Sequence, residues 1–355
     1  MAKTMKAVQY DKYGGGAAGL KHVEVPVPSP KKDEMLIKVE AASINPVDWK
    51  IQKGMLRPFI PRKFPFIPVI DVAGEVLELG PGVSNFKVGE KILGLLDFTV
   101  KPSTLAIILY LHISLLLFSN KLNAHFQNGG GLAEYAVAPK AIIANRPTNM
   151  SPAEAAGLPA AGLTAFQSLK SAGVKFDGTN KSSNILITAA SGGVGHFAVQ
   201  LAKVAGLHVT ATCGARNVEL VKKLGSDEVL DYKTPEGAAL KSPSGVKYDY
   251  VVHCAPPVPW SVFEPVLSDH GKVVDITPTM RSIFSSLIKK VTFAKKKLAP
   301  LFLVPKEGEL EFLVNLAEEG KLKTVIDSKH PLSKAEDAWA KSIEGHATGK
   351  IIVEI

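Results

Sequence analysis

Between the apolar run Asn184-Ile-Leu-Ile-Thr188 and the amphipathic stretch His196 to Ala205 lies Ala189-Ala-Ser-Gly-Gly-Val-Gly195. A strand, a tight glycine-rich turn and a helix N-terminus present backbone N–H groups and a positive dipole end to a pyrophosphate. Ala190 stands where the first glycine of a dinucleotide turn usually is, and Gly192, Gly193, Val194 and Gly195 complete the pattern. An ordinary structural turn has a similar composition, but the strand before it and the strand–helix succession after it favour a cofactor. At the end of the next strand the chain reads Thr212-Cys-Gly-Ala-Arg216, with no carboxylate until Glu219. A carboxylate at that point would bind ribose hydroxyls, whereas an arginine pairs bidentately with a 2′-phosphate. The expected cofactor is therefore NADPH, with Cys213, Gly214, Ala215 and Arg216 along its adenosine end and Lys203 and Tyr232 completing an anion pocket. Each has a plainer account: a solvated arginine, a surface lysine, a packing aromatic. Their convergence on one strand end favours the pocket.

The elements that must position these groups divide the chain in two. At 355 residues and 37.8 kDa, with 46% hydrophobic and 21% charged residues, disorder and coiled coil are excluded and two domains are expected. Residues 1–150 and 325–355 carry short β-type runs, among them 35–40, 72–77, 134–138 and 349–355, broken by Gly and Pro clusters. Residues 151–324 start at Ser151-Pro-Ala-Glu154, a capping-box spacing with Pro at the first helical position. From there strands (184–188, 207–212, 228–230, 248–253, 271–276) alternate with helical stretches, which implies a doubly wound parallel sheet. The fold class is α/β: a β-rich, barrel-like unit plus a Rossmann unit.

The net charge of +9 suits an anionic cofactor, an acidic membrane or nucleic acid alike. Two cysteines, Cys213 and Cys254, are too few for a disulfide framework or a cysteine-built zinc site, and they read as packing residues. Met1 to Tyr10 leads directly into strand-like alternation, so no cleaved leader is expected. The longest apolar run, Leu105 to Phe118, falls short of the roughly 20 residues that a bilayer span needs.

Asn45-Pro-Val-Asp-Trp-Lys50, Ala189 to Gly195, Thr212-Cys-Gly-Ala-Arg-Asn217, Asp327 to Ala338 and His346-Ala-Thr-Gly-Lys350 resemble the medium-chain dehydrogenase/reductase superfamily, in its quinone oxidoreductase branch. Within it the chain is most similar to plant chloroplast-envelope homologues. The resemblance implies a GroES-like substrate domain split around a Rossmann domain, a homodimer, and NADPH in the interdomain cleft. Zinc-dependent relatives carry a catalytic Cys near the position of Asn45 and a His where Asp71 stands; with neither present, a zinc-free reaction is expected. What remains is hydride transfer to an activated acceptor, an α,β-unsaturated ketone or aldehyde such as a lipid-derived enone, ketol or alkenal. By the same resemblance Lys50 contacts the nicotinamide ribose and the substrate oxygen, where an ammonium would stabilise an enolate. Asn45 is expected to bond the cofactor, though a turn-initiating Asn before Pro46 would look the same. Ala255, Ile276 and Thr277 would border the nicotinamide, and His346 and Ala347 match cofactor-contacting positions. A quinone reductase and a non-catalytic cofactor-, lipid- or RNA-binding protein are the alternatives, nucleic acid being the least favoured partner. The expected location is the chloroplast envelope, peripherally held, or else the cytoplasm. Met280 to Pro300, with Lys289, Lys290 and Lys295 to Lys297 among apolar residues, either touches anionic lipid, lines a substrate entrance or forms a solvated surface helix.

Val100 to Gln127 does not fit this pattern: it contains no Asp, Glu or Gly and separates elements that the family joins by a short loop. We read it as a translated, unspliced intron. Val100-Lys101 can be encoded GTAAAG, a donor site, and Phe126-Gln127 TTTCAG, an acceptor. A lid helix and a membrane-docking hairpin are the alternatives. Transcripts joining Thr99 to Asn128 would support the intron, and peptides from Leu105 to Phe118 in tissue protein would defeat it.

Overall fold

The computed structural model describes residues 3–57, 62–96, 130–180 and 183–355. The 100–127 segment, and 58–61 of the Pro-rich loop after Arg57, lie outside the described residues.

Fifteen strands are described. The first sheet draws on β3 (Glu34–Ile44), β4 (Asp71–Leu79), β5 (Lys91–Leu95), β6 (Tyr135–Pro139), β7 (Ile143–Asn145), β14 (Ile326–Pro331) and β15 (Lys350–Glu354). Its order is β14-β15-β3-β4-β5-β7, with β6 paired to β3, and every pair is antiparallel except β14–β15. A separate antiparallel pair, β1 (Thr4–Gln9) and β2 (Lys21–Pro26), attaches through an Ala7–Ala133 bridge. The alternation in β3 accounts for its place: Met35, Ile37 and Val39 are buried on one core with Val72, Val76, Ile92 and Trp339.

The second sheet is parallel throughout, in the order β10-β9-β8-β11-β12-β13. Its strands are β8 (Asn184–Ile187), β9 (His208–Cys213), β10 (Glu228–Asp231), β11 (Tyr248–His253), β12 (Leu267–Asp275) and β13 (Lys297–Pro300). Near-continuous apolar strands such as Ile185-Leu-Ile187 are what a sheet covered by helices on both faces requires. The direction of winding reverses between β8 and β11, so their carboxyl ends open the crevice where ligands of such sheets bind. The mixed α/β class with a GroES-like and a Rossmann unit is thus the observed one. β13 is the strand that sequence reading does not anticipate. It lies within the lysine-rich 280–300 stretch, whose first part forms the helix Met280–Val291.

The Ser151 capping box forms as expected: Ser151 Oγ accepts from the Glu154 backbone N–H, and the Glu154 carboxylate accepts from the Ser151 N–H. The helix Pro159–Ala172 follows, and its first turn points at the first sheet, where Ala160 N–H donates to Asp71 Oδ1 at 3.0 Å. The chain re-enters the first sheet at β14, and β15 then pairs with β3; Gly349, just before β15, donates its N–H to Ser191 O of the Rossmann unit at 2.8 Å, so the two units meet at the start of β15.

Candidate active site

The glycine-rich turn joins β8 to the helix Gly195–Val204. Ala189 adopts a left-handed φ of 48°, and its carbonyl accepts from Gly192 N–H at 2.9 Å, closing the turn. A Cβ on Gly195 would come 2.3 Å from Ala189 O and 2.7 Å from Ala190 Cα, so glycine is needed there for the helix to lie on the strand. A Cβ on Gly193 would meet only Lys350 Cδ at 3.5 Å and Gly349 O at 3.6 Å. Nothing among the described residues forbids a side chain at Gly193. Its absence leaves open the face over the helix N-terminus, where the first N–H groups have no intrahelical partner. The turn fits a pyrophosphate on this ground. Val194 lies immediately before the helix, with Gly192 and Gly193 in the turn.

At the carboxyl end of β9, Gly214, Ala215 and Arg216 follow Cys213, whose carbonyl accepts from Tyr232 N–H at 3.1 Å. The Tyr232 ring stands over Gly214, where a Cβ would be 3.5 Å from its Cε1. The Arg216 guanidinium donates to the His346 carbonyl at 2.6 Å, bringing His346 and Ala347 to the same edge. Arg216, Tyr232, Gly214 and His346 therefore converge. Lys203 does not join them. The helix carries it to the amino edge of the sheet, where its ammonium contacts Asp227 at 2.9 Å and the Leu207 carbonyl at 3.3 Å, groups that precede β10 and β9. At about 1.5 Å per residue, the turns between Gly195 and Lys203 span the depth of the sheet.

Across the crevice, Thr277 Oγ1 donates to the Ala255 carbonyl at 3.0 Å and Ile276 N–H to the His253 carbonyl at 3.2 Å, so Ala255, Ile276 and Thr277 gather at the ends of β11 and β12. Burial pushes the Cys213 thiol up to about 11 and Cys254 to about 12, so neither is a thiolate at neutral pH.

The first sheet contributes the helix Pro46–Gln52, capped by Asn45 and carrying Lys50 in its last turn. Lys50 is half-buried, which lowers its pKa, and it stacks 5.7 Å from the centre of the Trp49 ring. Among the described residues it forms no ion pair. Asn45 departs from expectation. Its amide N–H groups go to Asp71 Oδ2 at 2.9 Å and the Ser43 carbonyl at 3.2 Å, while its Oδ1 accepts from Lys350 Nζ at 2.5 Å. Both amide donors are spent inside the protein, so Asn45 has none left for a cofactor.

Sequence reading also missed the bridge between the turn and the last strand. Gly349 N–H donates to Ser191 O at 2.8 Å, and Asn217 Nδ2 donates to Ser191 Oγ at 3.0 Å and Thr348 Oγ1 at 3.1 Å. The available signal was Gly349: at φ 90°, a Cβ there would lie 2.2 Å from Val325 O. His196, fully buried, contacts the Gly192 carbonyl through Nδ1, and burial lowers its pKa to about 3.

Comparison with known proteins places these features in a family. Residues 31–148 match the alcohol dehydrogenase GroES-like domain and 224–353 the zinc-binding dehydrogenase domain. The chain is 63% identical over 353 residues to a chloroplast envelope quinone oxidoreductase homolog of Arabidopsis thaliana, with 99% of each covered. It is 31% identical over 356 residues to the NADPH-dependent alkenal/one oxidoreductase, chloroplastic, of the same plant, covering 99% of this chain and 80% of that one. Among solved structures, the quinone oxidoreductase from Coxiella burnetii superposes with a TM-score of 0.81 at 30% identity, covering 99% of this chain and all of that one. The zinc in the second domain's description meets no fitting donors: among the described residues no group of three or more His, Cys, Asp or Glu side chains is arranged to hold a metal.

Proposed function

We propose, on the premise that this chain belongs to the quinone oxidoreductase branch of the medium-chain dehydrogenase/reductase superfamily, that it reduces the carbon–carbon double bond of α,β-unsaturated carbonyl compounds. It is an NADPH oxidoreductase, the reaction class named for its relatives. NADPH, when bound, supplies the hydride. The chain holds the pyrophosphate on the N–H groups of Gly193 to Gly195, and the 2′-phosphate on Arg216 beside Tyr232. The substrate domain, 1–150 and 325–355, brings up Lys50; the cofactor domain, 151–324, brings up Ala255, Ile276 and Thr277 around the nicotinamide, with His346 and Ala347 nearby.

The observation that carries the reading is Lys50: a half-buried ammonium with no carboxylate to neutralise it among the described residues. Such a group stabilises negative charge developing on a substrate oxygen as hydride adds at the β-carbon. The alkenal/one reductase relative supports this acceptor class; the more similar quinone-named relatives favour the second reading, two-electron quinone reduction. NADPH consumption followed at 340 nm across enones, alkenals and quinones separates them. Turnover of quinones without enones would overturn the first reading, and Lys50→Met should abolish turnover while weakening NADPH far less than Arg216→Ala does.

The chloroplast envelope relative supports a plastid location for this chain. We place it peripherally on the envelope. Between Ile276 and Lys306 there is no Asp or Glu, and the helix Met280–Val291 and the residues after it expose Phe284, Val291 and Phe293, the last at 91%, beside Lys289, Lys290 and Lys295. Co-flotation with anionic but not zwitterionic vesicles tests this. A homodimer, tested by sedimentation, completes the reading, with β13 the edge strand of the second sheet among the described residues.

A further inference from the structure

Asn45 and Asp71 stand, by the resemblance above, at or near positions where zinc-dependent members carry metal ligands, and in this chain Lys350 reaches both. We propose that Lys350 is the resident cation of the cleft, a positioning residue that fixes Asn45 and Asp71 and ties the dinucleotide turn to the Lys50 helix. The proposal rests on the reductase reading above.

Lys350 opens β15 and is 3% exposed, with Nζ 2.5 Å from Asn45 Oδ1 and 3.6 Å from Asp71 Oδ2. Asp71 is 0% exposed and bonds on both sides, to Ala160 N–H of the Rossmann unit and to the Asn45 amide of the substrate unit. A divalent ion between Asn45 and Asp71 would share that space with an ammonium, which explains why these residues do not suit zinc. The charge that a metal would bring is already covalently present.

The position of this side chain gives it more than a balancing role. Its stem passes the turn: a Cβ on Gly193 would lie 3.5 Å from Lys350 Cδ, and one on Gly157 3.4 Å from its Cγ. Its head orders Asn45, which caps the helix Pro46–Gln52. Asn45 N–H donates to Asp48 Oδ2 at 2.7 Å, and the same helix presents Lys50. One residue therefore runs beside the pyrophosphate turn and bonds the cap of the helix that carries the proposed oxyanion partner. Without it, the Asn45 amide loses its acceptor bond and Asp71 is left as a buried, uncompensated carboxylate.

A double-mutant cycle on the full chain tests this, using Lys350→Met, Asp71→Asn and the pair together. Three quantities are read: the thermal midpoint, the NADPH dissociation constant from nucleotide fluorescence, and kcat and KM for whichever enone or quinone the wild type reduces. Lys350→Met should lower the midpoint and cut kcat at least tenfold, with acceptor KM within threefold. The double variant, with both charges removed, should regain the midpoint but not kcat. If it regains both, or if Lys350→Met keeps wild-type kcat, Lys350 is only an ion-pair partner and the proposal falls. Should Lys350→Met fail to fold, comparing kcat of the double variant with that of Asp71→Asn decides the same question. A wild type that binds NADPH yet reduces no acceptor sinks the reductase reading, and this proposal with it; a double variant with full turnover sinks only this one.

Discussion

Two glycines two residues apart in the same turn should respond oppositely to the same methyl group. In Gly195→Ala the new Cβ meets Ala189 O at 2.3 Å, Ala190 Cα at 2.7 Å and Ala189 C at 2.9 Å, all backbone atoms. Non-bonded carbon atoms rest about 3.5–4.0 Å apart, so the strand–turn junction must open by roughly 1 Å. That junction is held by Gly192 N–H on Ala189 O at 2.9 Å and Ala190 N–H on Thr212 O at 2.8 Å, so it resists. Overpacking of this kind costs about 1–3 kcal/mol or more, which lowers the thermal midpoint by several degrees for a unit of this size. In Gly193→Ala the nearest atoms stand at 3.5 and 3.6 Å, ordinary contact, and the φ of Gly193 is not left-handed. Stability should hold, or rise by about 0.4–1 kcal/mol as the unfolded chain loses freedom. Its methyl instead projects over the N–H groups proposed to hold the pyrophosphate. Losing one charge-assisted hydrogen bond costs about 1.5–3 kcal/mol, roughly a 10- to 150-fold rise in NADPH dissociation constant. Fluorescence titration of NADPH at fixed salt, beside thermal unfolding of both variants, measures the contrast. A Gly193→Ala protein that binds NADPH within twofold of wild type would refute the cradle, and a Gly195→Ala protein of unchanged midpoint would refute the steric argument.

Arg216→Ala should weaken NADPH by about 10- to 150-fold and leave NADH nearly untouched, whereas Lys203→Ala loses only a partly exposed pair with Asp227, worth about 0–1 kcal/mol, and should leave both affinities as they are; dissociation constants for the two nucleotides decide. Burial lowers the pKa of Lys50, so its ammonium persists below that value and turnover should fall on the alkaline side at a lower pH than a free lysine would give; a pH–kcat profile lacking that limb would remove Lys50 from the chemistry. Burial raises the Asp48 carboxyl from 3.8 to about 7, so between roughly pH 4 and 7 the folded chain keeps a proton that the unfolded chain has lost, and stability falls as pH rises through that window. His196, depressed from 6.5 to about 3, contributes the opposite slope up to about pH 6.5; Asp48→Asn should therefore gain on wild type progressively from pH 4 to 7 and by a constant amount above, and a pH-independent difference in thermal midpoint would show that Asp48 holds no such proton.

What the sequence made legible was local. The strand 248–253, the Ser151 capping box and the turn at Ala189 to Gly195 depend on neighbours a few residues apart, and spacing in the chain reports those directly. The convergence of Arg216 and Tyr232 was legible for a related reason: parallel strands of a wound sheet bring their carboxyl ends to one edge. The same geometry shows why Lys203 was misplaced. A helix that starts at that edge must end at the other, so a residue in its last turn is carried away from the cofactor.

The cleft's charge balance was hidden for a different reason. Asn45, Asp71 and Lys350 lie 26 and 305 positions apart along the chain, yet contact one another at 2.9 and 2.5 Å. Read singly, Asn45 before Pro46 is a turn residue, Asp71 a strand-end carboxylate and Lys350 the lysine that opens an apolar tail strand. Nothing in periodicity links them, because periodicity records which face of an element is apolar and not which buried charge another element must answer. Burial supplies the missing constraint: a carboxylate at 0% exposure needs a partner of opposite charge or a proton. Once β4 is placed inside, Asp71 calls for a proton or a cation, and β15, paired to β3 beside it, is where the cation comes from. The strand that closes the sheet thereby also carries the countercharge, and exchanging Lys350 for an apolar residue should cost more than its hydrogen bonds alone.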